Sequence, residues 1–339
     1  MTDTTIDRAR LDSWLTANLP GWRGPIDLEK FEGGQSNPTF RLRAGSGDYV
    51  LRRKPPGALL ASAHAVDREF RVLAALGKTG VPVPHVHALC QDVTVIGSDF
   101  YLMDFLPGRI FWDPRLPGLE PADRAAMFDS LNATIAALHS VDWRAAGLED
   151  YGRPGNYLSR QIGRWSKQYR ASETQSIEAM DRLIDWLPTR IPEADETAIV
   201  HGDYRIDNVI YHPTEPRVIG VLDWELSTLG DPLVDFAYNA MAWRFSPDLF
   251  RGLAGADLAT LGIPSEEEYV AAYCRRTGRD GVKDWEYYIV FSMFRIAAIL
   301  QGVYKRGLDG NAASAQALEV GAKTRPIAEQ AWELARSLG

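Results

Sequence analysis

Asp203, Asn208 and Asp223 are the residues of this sequence whose types and spacing point most directly to chemistry. They lie in HGDYRIDNVIYHPTEPRVIGVLDWE, residues 201–225. Asp203 and Asn208 stand five apart in an H-G-D-x-x-x-x-N loop, and Asp223 follows a short apolar run after a turn. A carboxylate for an acceptor hydroxyl, with an amide and a second carboxylate for magnesium, is the set that phosphoryl transfer from ATP requires. A loop between strands can aim Asp203 at the hydroxyl while Asn208, at its far end, turns to the metal. Asp223, closing the second strand, is placed to bind magnesium bridging the terminal phosphates, and Asn208 to hold a second ion or the other face of the first. Alone, D-x-x-x-x-N is more often a hydrogen-bonded turn. The order of His201, Asp203, Asn208 and strand-borne Asp223 turns the expectation to a small-molecule kinase, with His201 structural and its ring packed beneath the loop.

The elements that must position these residues are legible around them. VIYH (209–212) and RVIGVLD (217–223) are β-branched and apolar about a Pro/Thr/Glu turn, which predicts a hairpin. Upstream, LEKFEGGQSNPTFRLRAGSGDYVLRRKP predicts three strands separated by the turn signals GGQSN and GSGD. On the third, period-two alternation puts Val50, Arg52 and Lys54 on one face and Leu51 and Arg53 on the other. Either Arg52 or Lys54 then reaches the phosphates. Glu69, in the predicted helix SAHAVDREFRVLAAL, is the natural ion-pair partner for that cation, with Asp67 competing. DFYLMDFLPGR (99–109) reads as an apolar strand ending in a Pro-Gly turn, as a connector between lobes would.

Further along, LGDPLVDFAY places Asp231 and Asp235 near a helix start, where carboxylates cap exposed amides. Both read as structural braces of the loop. The helix NYLSRQIGRWSKQY puts Leu158, Ile162, Trp165 and Tyr169 on one face and Arg160, Arg164 and Lys167 on another. A solvated basic face is one reading. An anion subsite for a charged acceptor such as a coenzyme A thioester, shared with Arg295, is the other.

Composition narrows the classes. At 339 residues with 45% hydrophobic content the chain can bury a sizeable core as one large or two packed domains. A net charge of −8 argues against general nucleic-acid binding, which needs a basic surface. Cys90 and Cys274 are far apart and outline no disulfide framework or zinc pattern, so a reducing cytoplasm is expected. MTDTTIDRARLDSWL has no apolar core of a signal peptide and is expected to be an amphipathic helix capping the small lobe. YYIVFSMFRIAAILQGVY (287–304) is interrupted by Arg295 and flanked by charge, which suits a buried helix better than a membrane span.

These motifs resemble the aminoglycoside phosphotransferase and choline kinase family, distant relatives of protein kinases. The resemblance covers nearly the whole chain. It is nearest to bacterial phosphotransferases similar to the kinase-like domain fused to some acyl-CoA dehydrogenases, through FEGGQSNPTF, YVLRRKPPG, SAHAVDREFRVL, VPVPHV, RQIGRWSKQY, HGDYRIDN, LDWELSTLGDPLVD and FRIAAILQGVYKR. It implies an α+β, bilobal protein-kinase-like fold: a small antiparallel-sheet lobe over 1–104 and a larger, mainly helical lobe over 105–339. The GGQSN turn resembles the family's phosphate-covering loop, with Gly33 and Gly34 allowing close backbone approach and Ser36 and Asn37 offering polar contacts. The family pattern after Y-V-L favours Arg52 as the phosphate contact. Arg205 stands where protein kinases carry a lysine that steadies the transferred group, a role suited to a guanidinium. Adenine is expected against Met103, with the backbone of Asp104 and Leu106 meeting the base edge. WE after Asp223 replaces the Phe-Gly of protein kinases, so their switching of that segment is not implied.

The expectation is therefore an ATP- and Mg2+-dependent phosphotransferase acting on a hydroxyl of a small molecule, without nucleic-acid or membrane partners. The broad family implies an aminoglycoside acceptor; the nearer branch implies a hydroxyacyl-CoA and coupling to an acyl-CoA dehydrogenase. Polycations need an acidic cleft and coenzyme A a basic one, and the basic helix face tilts toward an anionic acceptor. A third expectation, an idle nucleotide-binding module regulating a partner, requires a missing catalytic part. Every part is present except the strict strand lysine.

Overall fold

The computed structural model describes residues 6–31, 37–55, 65–193, 196–310 and 316–339. Five strands, β1 (Asp27–Lys30), β2 (Thr39–Ala44), β3 (Gly47–Arg53), β4 (Val86–Cys90) and β5 (Phe100–Asp104), form one antiparallel sheet in the order β1-β2-β3-β5-β4. The three strands predicted between residues 28 and 55 are β1, β2 and β3, and the predicted GSGD turn joins the last two. Alternation decides what the sheet's two faces do. Leu51, Leu102, Phe40 and Leu42 share one apolar cluster with Leu11 and Leu15 of helix α1 (Arg8–Asn18). Burying those two leucines contributes about 1.5–3 kcal/mol each to docking α1 on the small lobe. Val50, Tyr101 and Met103 face the other way, onto Val72 and Leu73 of α2 (Val66–Leu76). A short helix, α3 (Val93–Ile96), precedes β5.

β5 ends at Asp104, and the chain passes into the helical lobe through Pro107 and Gly108. A Cβ at Gly108 would collide with Ile210 and with the Tyr211 carbonyl. That close approach lets Arg109 pair with Tyr211 (N···O 2.8 and 2.9 Å), tying the connector to the hairpin of β7 (Val209–Tyr211) and β8 (Val218–Val221), as predicted. A second two-stranded ladder pairs β6 (Ala198–Val200) with β9 (Thr228–Gly230).

The remaining helices are α4 (Pro121–His139), α5 (Tyr157–Ser172), α6 (Glu178–Trp186), α7 (Pro232–Ala240), α8 (Pro247–Phe250), α9 (Leu258–Leu261), α10 (Glu266–Thr277), α11 (Trp285–Leu308), α12 (Ala317–Ala322) and α13 (Thr324–Ser337). α10 starts at a Ser265/Glu268 capping box, carries three glutamates in its first turn and Arg275 and Arg276 in its last, and stops at Gly278 with φ +70°. α11 is the one described helix long and apolar enough to cross a membrane, and 83% of its apolar window is buried. It is the core of the helical lobe, packed against α5, α7, α12 and α13, as its internal Arg295 led us to expect.

Candidate active site

The loop between β6 and β7 is held by its backbone before any side chain acts. Asp235, on α7, accepts from the amides of His201 (2.7 Å) and Gly202 (2.8 Å) and from His139 Nε2 (3.2 Å). Burial works against this carboxylate, but the His139 hydrogen bond and the nearby histidines hold its pKa below the ordinary value. Gly202 sits at φ +82°, and a Cβ there would lie 2.7 Å from the Leu226 carbonyl, so only glycine fits. His201 Nδ1 accepts from the Asp203 amide (3.1 Å), which leaves Nε2 to donate to the Leu222 carbonyl (2.7 Å). The ring is buried under the loop against Trp224, the structural place expected of it. Asp231 differs from expectation. It does not brace the loop but caps its own helix, accepting from the Leu233 amide at 2.8 Å.

Three expected residues then converge. Asn208 Nδ2 donates to the Asp203 carbonyl (2.8 Å) and to Asp203 Oδ2 (3.0 Å), which leaves its side-chain oxygen as an acceptor. The Asn208 carbonyl accepts from the Leu222 amide (2.8 Å), which brings Asp223 alongside. Asp223 adopts φ +64° and, with Asn208, lines a cleft of about 460 Å³ between the lobes. One amide oxygen and one carboxylate, completed by phosphate oxygens and water, suit magnesium, which is usually bound through one or two carboxylates plus substrate phosphates.

Arg52, Met103, Asp104 and Leu106 line the same cleft. Arg52 donates to Asp223 Oδ1 at 2.6 Å, and its Nε lies 2.8 Å from Glu69 in an ion pair without hydrogen-bond alignment. Lys54, just past the end of β3, is drawn to Asp99 at 2.6 Å and toward Asp67 at 3.9 Å, so of the two same-face cations Arg52 and not Lys54 lines the cleft. Glu69 is 1% exposed and also accepts from Asn37 (2.7 Å) and Tyr101 (3.1 Å). Burial raises its carboxyl above the ordinary value, with Arg52 pulling the other way. Asn37, expected at the phosphates, is therefore turned inward: it is buried and spends its amide on Glu69, because a buried carboxylate needs donors more than an exposed loop does. Gly33, Gly34 and Ser36 lie outside the described residues.

Arg205 is committed to its own loop. It grips Asp207 through Nε (3.0 Å) and Nη2 (3.1 Å) and stands 3.3 Å from Asp203. It lines a small aromatic cavity with Trp112, Phe128 and Trp243 instead of the inter-lobe cleft.

Arg160, Arg164 and Arg295 share a second cleft, of about 710 Å³, on the other side of the 223–225 turn. Its lining sets five arginines against one carboxylate, Glu225. Arg160 donates to the carbonyls of Arg153 (2.6 Å) and Gly155. Arg295 is 4% exposed, donates to the Gly202 carbonyl of the catalytic loop, and lies between the rings of Trp165 and Tyr238. Sequence reasoning missed Arg68, Arg153, Glu225 and Tyr238. Tyr238 carried a usable signal, since it sits one helical turn beyond Asp235 and so faces the same loop.

Comparison with known proteins agrees with this geometry. The model of the "Phosphotransferase enzyme family" matches residues 27–285. The chain is 50% identical over 318 residues to acyl-CoA dehydrogenase family member 10 of Mus musculus, covering 93% of this chain. It spans 30% of that relative's length and 39% to 44% of the other acyl-CoA dehydrogenase relatives it matches. A crystal structure of an aminoglycoside phosphotransferase candidate from Ralstonia eutropha superposes with a TM-score of 0.90 at 54% identity, covering 98% of each chain. An aminoglycoside phosphotransferase solved as a ternary complex with ADP and hygromycin B shares the fold at a TM-score of 0.61 and 15% identity, over 94% of this chain and 98% of that one. Sequence match and superposition coincide over the lobes and loops described above: the fold is protein-kinase-like, and the chain belongs to the phosphotransferase enzyme family.

Proposed function

We propose that this chain transfers the terminal phosphoryl group of ATP, with magnesium, to a hydroxyl of an anionic small molecule, and that a hydroxyacyl-CoA thioester is the acceptor class. In this reading the acceptor oxygen bonds to the γ-phosphorus, the bond from that phosphorus to the β,γ-bridging oxygen breaks, ADP leaves, and the hydroxyl proton passes to Asp203. Asn208 and Asp223 would hold magnesium, which would supply charge neutralisation at the phosphates. Arg52, braced by Glu69, binds the phosphates, and adenine stacks against Met103 beside the backbone of Asp104 and Leu106. Arg205, gripped by Asp207, holds Asp203 in place from the side of the aromatic cavity. Positioning and charge carry the catalysis.

The observation that carries the acceptor class is the cleft in which five arginines face one carboxylate next to the catalytic loop. An aminoglycoside, a polycation, is repelled by such a lining, whereas the phosphates of coenzyme A are attracted. The acyl-CoA dehydrogenase names of the longer relatives fit a shared acyl-CoA metabolite. The test is nucleotide turnover by the purified chain with ATP or GTP, magnesium and a panel of hydroxyacyl-CoA thioesters, free hydroxy acids and kanamycin. ADP release with the thioesters and none with kanamycin is expected. Efficient kanamycin phosphorylation sinks the anionic acceptor, and nucleotide binding without transfer to any acceptor favours an idle regulatory module.

A further inference from the structure

Arg295 is a buried cation with no carboxylate counter-charge. It is 4% exposed, forms no ion pair among the described residues, and its Nε has no hydrogen-bond partner although it lies inside the lobe. Burying a guanidinium without an anion is costly, since neither the Gly202 carbonyl nor two aromatic faces replace a full negative charge. Its place on the wall of the arginine cleft says where the missing charge comes from.

The same guanidinium touches the catalytic loop by two routes. One Nη donates to the Gly202 carbonyl, adjacent to Asp203. Its Cζ lies 4.6 Å from the centre of the ring of Tyr238, which stands on α7 one turn beyond Asp235, the residue that holds the His201 and Gly202 amides. Tyr238 is buried, and burial together with Asp203 raises its pKa, so it stays a donor. Asp203 takes its contacts from Asn208 and Arg205, on the nucleotide and aromatic-cavity sides. Tyr238 lines that same aromatic cavity and meets the arginine cleft through Arg295.

We propose that Arg295 and Tyr238 form a positioning link through which an anionic group of the acceptor, seated on Arg295, sets Asp203 for transfer. The link rests on the kinase reading of the loop and deepens it: acceptor charge is sensed at the base that receives the hydroxyl proton. Arg160 and Arg164 serve affinity, whereas Arg295 and Tyr238 serve turnover as well.

Coenzyme A, which lacks the reacting hydroxyl, is the probe. Hydrogen exchange of the amides of residues 201–208 is followed with and without it, and acceptor kinetics are measured with a hydroxyacyl-CoA. In the wild type, coenzyme A is expected to protect the loop. Tyr238→Phe should bind coenzyme A and show an acceptor KM within about twofold of wild type, yet lose roughly tenfold in kcat and most of the loop protection. Arg295→Gln should lose coenzyme A affinity, loop protection and kcat together. Arg295→Lys, which keeps the charge and guards against a folding defect, should recover part of each. Wild-type kcat in Tyr238→Phe, a pure KM effect in Arg295→Gln, or a wild-type loop indifferent to coenzyme A overturns the link. If no acceptor is phosphorylated while coenzyme A still orders the loop through Arg295, the link stands and the kinase reading falls. If transfer proceeds to neutral acceptors and coenzyme A does not bind, the reverse holds.

Discussion

The two clefts that meet at residues 223–225 differ in how their charges are settled. In the inter-lobe cleft the ionic groups are paired internally: Arg52 bridges Glu69 and Asp223, and Asn208 is spent on Asp203. In the arginine cleft the cations outnumber the acids, Arg160 rests on carbonyls, and Arg295 is buried and forms no ion pair among the described residues. A site whose charges are already paired is preorganised and has to exchange partners when a ligand arrives. A site with surplus buried charge is electrically incomplete until an anion enters. We read the first as built for a constant donor and the second as built to select the acceptor.

The comparison breaks most severely at Asp203, the base of the proposed transfer. Asp203→Asn should lower kcat by roughly 10²–10⁴-fold, as expected for a lost general base, while magnesium-dependent ATP affinity stays near wild type. Asp223→Ala should instead abolish that magnesium-dependent binding. Nucleotide titration with and without magnesium separates them, and normal turnover by the Asp203 variant would remove it from the chemistry.

Within the paired cleft, Arg52→Ala should weaken ATP binding roughly 10- to 100-fold, the range for a charge-assisted contact, whereas Lys54→Ala should change it less than about threefold. Lys54 is occupied by Asp99 away from the cleft. Glu69→Gln should follow Arg52 in direction and also cost about 3 kcal/mol in a denaturation experiment, because it leaves Arg52 buried with one partner fewer. A larger loss from Lys54 would mean that the phosphate contact is misassigned.

In the unpaired cleft, Arg160→Gln or Arg164→Gln should raise the acceptor KM about fivefold to thirtyfold, corresponding to about 1–2 kcal/mol, with the ATP KM unchanged. Equal effects on both KM values would dissolve the division between the two sites.

The smallest effect concerns a charge that neither cleft uses. Burial raises the Asp231 carboxyl to about 7 from its ordinary 3.8. The folded state therefore holds this proton more tightly than the unfolded chain, and stability falls as pH rises from about 4 to about 7. Asp231→Asn keeps a cap for α7 and cannot ionise. It should be close to wild type below about pH 4 and more stable near pH 8, the gap opening as pH rises from about 4 to about 7. Melting curves at the two pH values check it; equal stability at both would mean that solvent reaches the carboxylate.

Most of the chain's plan is legible from its residues alone. The strands β1 to β3, the 209–221 hairpin, the buried helix around Arg295 and the order of Asp203, Asn208 and Asp223 all follow from local rules. Alternation and turn residues act over a few positions, and a catalytic loop needs its groups in one order along the backbone. The sequence also offers Glu69, with Asp67 competing, as the helix partner of a strand cation. Tertiary structure alone decided that Glu69 and not Asp67 holds that cation, that Asn37 serves Glu69 instead of the phosphates, that Asp231 caps its helix while Asp235 holds the loop, and that Arg160, Arg164 and Arg295 open into one cleft with Arg68. Each of those outcomes depends on how elements distant in sequence pack. Electrostatic partners are chosen by distances of a few ångströms and by who is shielded from water, quantities that no spacing along the chain contains.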